Sequence, residues 1–261
     1  MKILDFIRLL EQEFPIDSAV DGDRVGLQIQ GSREEINRVH VAYELNDAVV
    51  EEAIAQNAEI IIAFHPLIYL PLQNILPSDR VGRLVSKLLR NDMSLYIIHT
   101  NFDTYKAGTN ILLTEALGLE FVSWLLPDRK YPDTGMGVIA RNSKDLTASE
   151  LIDRVKQVCQ SPIKSNKSDK SKICNKIAII AGSASSYISE AIAHNCDVLI
   201  TADCSYHKFH ESEGKILIID PGHSEMEKFV ASGLHTALTK ICGDKLILTK
   251  SDIDTNPVSY S

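Results

Sequence analysis

"EIIIAFHPLIY" (residues 59–69) is an apolar run that stops on a histidine and a proline. Ile60 through Ala63, with Phe64 behind them, read as a buried strand, and His65-Pro66 ends it because proline has no N–H to continue a ladder. Such an ending is either core punctuation or a way of presenting an imidazole. The reading turns on what the neighbouring segments place beside it.

Outward from this stretch, strand-like and helix-like segments alternate. "RVHVAYEL" (38–45) precedes a helical pattern over 46–57, with Asn46 as N-cap. After the 59–64 strand, "VGRLVSKLLRN" (81–91) is helical, "SLYIIHT" (94–100) is a strand, and 110–119 is a helix closed by Gly118. The second half follows with strands at 136–141, 176–182, 197–203 and 215–223. Its helices fall at 147–160, 185–195 and 224–240, and Thr147 with Glu150 forms a capping box. This alternation predicts an α/β protein of two similar halves, approximately 1–125 and 126–261 with the second intertwined with the first, and with largely parallel sheets flanked by helices. Residues 161–176, rich in Lys and Ser, read as a mobile, solvated loop.

Three predicted strands leave imidazole or carboxylate groups just past their carboxyl ends, where open α/β sheets hold ligands. The first gives His65; the second gives His99 and then Asp103; the third gives His223, with Glu227 one helical turn later. A fourth strand supplies Asp203 and, four residues on, His207. Each residue alone has a plain structural reading: a hydrogen-bonded strand-end histidine, an Asx turn, or a charge near a helix start. Together, His65, Asp103, His223 and Glu227 point to a divalent-metal site of nitrogen and oxygen donors, suited to Fe, Mn, Co or Zn. The Gly182–Ser186 segment lacks both the P-loop lysine and the GxGxxG spacing.

The chain has 261 residues, with 44% hydrophobic, 24% charged and a net charge of −8, which fits a globular protein and gives nucleic-acid binding no support. Its five cysteines form no Cys-x-x-Cys pair, so neither a disulfide framework nor a thiolate zinc site is expected, and Cys204 reads as a small filler. No run reaches the 18 or so apolar residues of a membrane span. The first 14 residues have the spacing of an amphipathic helix and not of a signal peptide. A cytoplasmic location is expected.

Five motifs in order resemble the Nif-three-like family, whose members are labelled GTP cyclohydrolase 1 type 2 homologs or dinuclear metal centre hexameric proteins. They are Gly22-Asp23-Arg24-Val25-Gly26-Leu27, His99-Thr100-Asn101-Phe102-Asp103, Thr201-Ala202-Asp203 with His207, Gly222-His223 with Glu227, and Thr255-Asn256-Pro257. The resemblance implies an α/β/α fold of two halves, a hexamer built as a trimer of dimers, and a two-metal site with His65, Asp103, His223 and Glu227 as ligands. This chain departs from the pattern where Phe64 replaces the first of two adjacent ligand histidines. Arg24, Glu44 with Asn46, and Ala202 are further departures near the same edge. A two-metal centre needs roughly three ligands per ion, so one firmly held ion is expected, with the second weak or absent. The resemblance also implies a metal-dependent hydrolase acting on a small molecule, with Asp203 and His207 moving protons. The alternative is a metal-binding protein or scaffold without turnover.

Overall fold

The computed structural model describes residues 1–212 and 214–260. Its elements run α1 (Ile3–Glu13), β1 (Gly26–Ile29), β2 (Arg38–Ala42), α2 (Asp47–Ala55), β3 (Ile60–Ala63), α3 (Arg80–Arg90), β4 (Ser94–Ile97), α4 (Thr100–Asp103), α5 (Thr109–Leu117), β5 (Glu120–Pro127) and β6 (Gly135–Arg141). They continue α6 (Ala148–Cys159), β7 (Lys164–Ser165), β8 (Lys176–Ile179), α7 (Ile188–Ala193), β9 (Val198–Ile200), α8 (Tyr206–Glu211), β10 (Leu217–Asp220), α9 (His223–Glu227), α10 (Val230–Cys242) and β11 (Ile247–Lys250). The mixed α/β class is as the sequence predicts. Two compact units are present, but not as 1–125 and 126–261. One joins residues 1–102 to 230–257, and the other takes 103–229 and the tail from Val258. The reason is β11, which pairs in parallel with β2 and carries α10 into the first unit.

The first unit holds a five-stranded sheet in the order β1-β4-β3-β2-β11. The four strands from β4 to β11 are parallel, and only β1 is antiparallel. All four residues of β3 are buried, as are all four of β4, the pattern of parallel strands covered on both faces. One face packs Ala42, Ile61, Ala63, Leu95 and Ile97 against Val49 and Val50 of α2 and Leu84 and Leu88 of α3. Asn46 caps α2 through Val49 N at 2.9 Å. The parallel β2, β3 and β4 end at one edge, which puts Glu44, His65 and His99 there.

The second unit holds six strands in the order β5-β6-β8-β9-β10-β7. Only β8, β9 and β10 are mutually parallel; β5, β6 and β7 join antiparallel, so this sheet is less parallel than the alternation predicts. Val138, Ile177, Ile179, Val198 and Ile200 pack on one face with Leu113 of α5 and Leu151 and Val155 of α6. Ile139, Ala178, Leu199 and Ile218 pack on the other with Ile188 and Ala191 of α7. The capping box of α6 is formed by Thr147 and Glu150.

Two local readings change. The Lys/Ser segment is tied down: Asn166 bonds to Ser212 Oγ, Ile216 O and Ile218 N, while Lys164 and Lys172 pair with Asp220 and Asp197. The single helix expected over 224–240 is two helices, α9 and α10, broken after Glu227. All five cysteines are free and buried, and burial with the Asp220 charge pushes the Cys204 thiol up to about 12, which leaves it inert. No helix among the described residues is long and apolar enough to cross a membrane.

Candidate metal centre

In the first unit, β3 feeds straight into His65, whose backbone N–H still bonds to Tyr43 O at 3.0 Å before Pro66 ends the ladder. The imidazole is half-buried. Its Nδ1 lies 3.0 Å from Glu44 Oε2, and Glu44 Oε1 accepts from Arg80 at 2.7 Å. Burial raises the Glu44 carboxyl, but the hydrogen bonds and charges of His65 and Arg80 overcome this and hold it below the usual range. A carboxylate on Nδ1 sets the ring so that Nε2 is the donor atom for an ion, an arrangement common around metal-ligating histidines.

Phe64 is fully buried. Its ring stacks on Tyr43 with centroids 5.9 Å apart and meets the His65 and His99 rings at 5.1 Å each. His99 Nδ1 lies 2.9 Å from both oxygens of Asp23, which also accepts from Thr100 N, Thr100 Oγ1 and Arg24 N. Burial raises Asp23, yet these bonds and the His99 charge win and lower it to about 2.

In the second unit, β10 ends at Asp220 and the chain turns through Gly222 into α9, which carries His223 and Glu227 one turn apart. Gly222 sits at φ +92, where a side chain would strike the Glu225 carboxylate and the Tyr260 hydroxyl. Gly182, after β8, has φ +70, and a Cβ there would come within 2.7 Å of Glu227 Oε1. Both positions therefore require glycine. Glu227 is buried to 2% exposure. His223 Nε2 lies 3.2 Å from Glu227 Oε2, and its Nδ1 lies 2.6 Å from Asp203 Oδ2. Burial would lower the His223 pKa, but bonds to Asp203 and Glu227 and their charges raise it to about 10. Asp203 is lowered, chiefly by the same His223 bond, with Ser183 also donating to it.

His223 and Glu227 of the second unit present a ring nitrogen and a carboxylate oxygen 3.2 Å apart, and they and His65 of the first unit are residue types that ligate a metal ion. The donor set fits one: two imidazoles, each with a carboxylate on Nδ1, and a buried carboxylate. The negative field that keeps a proton on His223 would equally attract a cation. Asp103 is buried in α4 and its carbonyl accepts from Asn110 Nδ2 at 2.8 Å. Asp203 stands on His223. His207 is exposed on α8, its ring edge-on to Tyr206. Sequence reading missed the partnership of Glu44 with His65, because 21 residues separate them.

The profile of the Duf34/NIF3 (NGG1p interacting factor 3) family matches residues 1–257. A Streptococcus pneumoniae protein named GTP cyclohydrolase 1 type 2 homolog is 31% identical over 265 residues, covering 98% of each chain. A Clostridium perfringens protein of the same name is 30% identical over 230 residues, covering 87% of each. A solved Bacillus cereus protein related to NIF3 shares the fold with a TM-score of 0.92 at 24% identity, covering 100% of this chain and 99% of that one. The chain belongs to the Duf34/NIF3 family.

Proposed function

We propose that this protein is a metal-dependent hydrolase built around His65, His223 and Glu227, with Asp103 as a fourth ligand. The observation that carries the reading is the pair His223 and buried Glu227, 3.2 Å apart, each histidine of the proposed set having a carboxylate on its Nδ1. Fe, Mn, Co or Zn suits the nitrogen and oxygen donors. Bound there, such an ion supplies a water acidic enough to act as nucleophile near neutral pH. Glu44 and Asp203 each hold the Nδ1 of one imidazole and so orient its ring. One ion is held firmly, because the buried Phe64 ring offers no ligand where the family resemblance places a second histidine. The substrate class follows the relatives' name, a GTP-like small molecule, and the assembly is a cytoplasmic homo-hexamer.

A second reading, metal binding without turnover, is favoured by the same Phe64. The test screens metal-loaded protein against GTP and generic phosphoester and amide substrates, with His65→Ala as control. Turnover that tracks the metal and disappears in the variant supports the hydrolase. Flat traces with tightly retained metal support the binder and overturn the hydrolase.

A further inference from the structure

β5 is the edge strand of the six-stranded sheet, and its ladder with β6 is interrupted. Phe121 faces Ala140 and Ser123 faces Ile139, so Val122 is an extra residue between them. A bulge of this kind re-aims its side chain, and Val122 stays 47% exposed. Beside it lies a cavity of about 480 Å³ whose lining includes Val122, Ile139, Arg141, Asn175 and Lys176. Ile139 and Arg141 are two apart on β6 and so share a face of the sheet.

Arg141 and Lys176 are directly opposite each other in the antiparallel β6–β8 ladder. Like charges so placed repel. Lys176 Nζ bonds to the His194 carbonyl at 2.5 Å, and among the described residues no carboxylate pairs with either cation. Glu120 lies across from Arg141 on β5 and Asp145 lines the cavity, yet neither makes an ion pair with it. The surrounding frame is rigid. Asn142 spends both amide hydrogens on Leu146 O and Cys174 O, and Asp197 accepts from the backbone N–H groups of Asn175 and Lys176. Arg141 and Lys176, side by side on β6 and β8, therefore line the same cavity as the apolar Val122 and Ile139 without a carboxylate partner among the described residues.

We infer that this cavity binds a small molecule carrying a phosphate monoester. The guanidinium fork of Arg141 and the ammonium of Lys176 take the dianion, and Val122 and Ile139 take an apolar body. The inference does not depend on the metal reading, since none of these residues belongs to that group.

The experiment uses the full chain treated with a chelator. Phenyl phosphate and inorganic phosphate are titrated in turn, with heat and backbone amide shifts as readouts. Saturable binding is expected, about tenfold or more tighter for phenyl phosphate, with the largest shifts at Val122, Ile139, Arg141 and Lys176. Arg141→Ala should weaken phenyl phosphate at least tenfold, Val122→Asp should do so without removing a cation, and Glu227→Gln should leave it unchanged. Unsaturable binding, equal affinity for the two probes, shifts centred elsewhere, or an Arg141→Ala protein that binds as well as the parent would overturn the assignment.

Discussion

Asp203 Oδ2 lies 2.6 Å from His223 Nδ1, so the imidazole that offers Nε2 to a cation is gripped from behind by a carboxylate. Asp203 holds φ +54, a left-handed backbone that a non-glycine residue adopts at some cost. Removing the carboxylate without changing its shape should loosen that ring. Asp203→Asn is expected to weaken metal binding by about 10–100-fold, with the fold intact by circular dichroism. Calorimetric titration with zinc checks this, and parent-like affinity would remove Asp203 from the account.

Metal must compete with a proton on His223, whose pKa is raised to about 10. Binding near neutrality should release about one proton and tighten as pH rises, which titrations in buffers of different ionisation heat will show. The sign for stability is opposite. In metal-free protein the raised pKa adds stability that is full below about 6.5, the ordinary histidine value, and is lost as pH climbs through about 10. Proton release near zero at pH 7 would contradict both statements.

Phe64 is fully buried among Tyr43, His65 and His99, so truncation should leave a cavity beside the ligand histidine. Phe64→Ala is expected to cost about 3–5 kcal/mol of stability in urea unfolding. It should also weaken zinc binding, since His65 loses the ring that packs it. Loss of stability without any change in affinity would show that His65 is positioned by Glu44 alone.

The elements that formed long apolar runs were legible in the sequence: β3, β4, β9 and β10 are buried on both faces and carry no alternation to misread. The edge strands were not. β5 exposes its first four residues and β11 buries none, so neither contrasts with a loop. The break between α9 and α10 falls at Lys228-Phe229, where no glycine or proline marks it. His65, His223 and Glu227 were legible because each follows a strand end. Their orienting carboxylates, Glu44 and Asp203, were not legible in that role, because they reach their histidines across neighbouring strands 20 or 21 residues away.

Asp23 is lowered to about 2 against the tendency of burial, by bonds from His99, Thr100 and Arg24. A depressed carboxylate pKa contributes stability that is present above about 4 and lost as pH falls through about 2. The difference corresponds to about 2 kcal/mol at neutral pH. Asp23→Asn should therefore destabilise at pH 7 by about that amount, with the deficit shrinking between pH 4 and pH 2. A deficit that stays constant over that range would point to shape and not charge.

The central claim is that one cation binds to His65, His223 and Glu227. Diffraction from cobalt-loaded crystals at the cobalt absorption edge tests it most directly. The account predicts one strong anomalous peak per chain, bonded at about 2.0–2.2 Å to a nitrogen of each histidine and an oxygen of Glu227. A peak that touches fewer than two of these residues, or two equally strong peaks per chain, would contradict it.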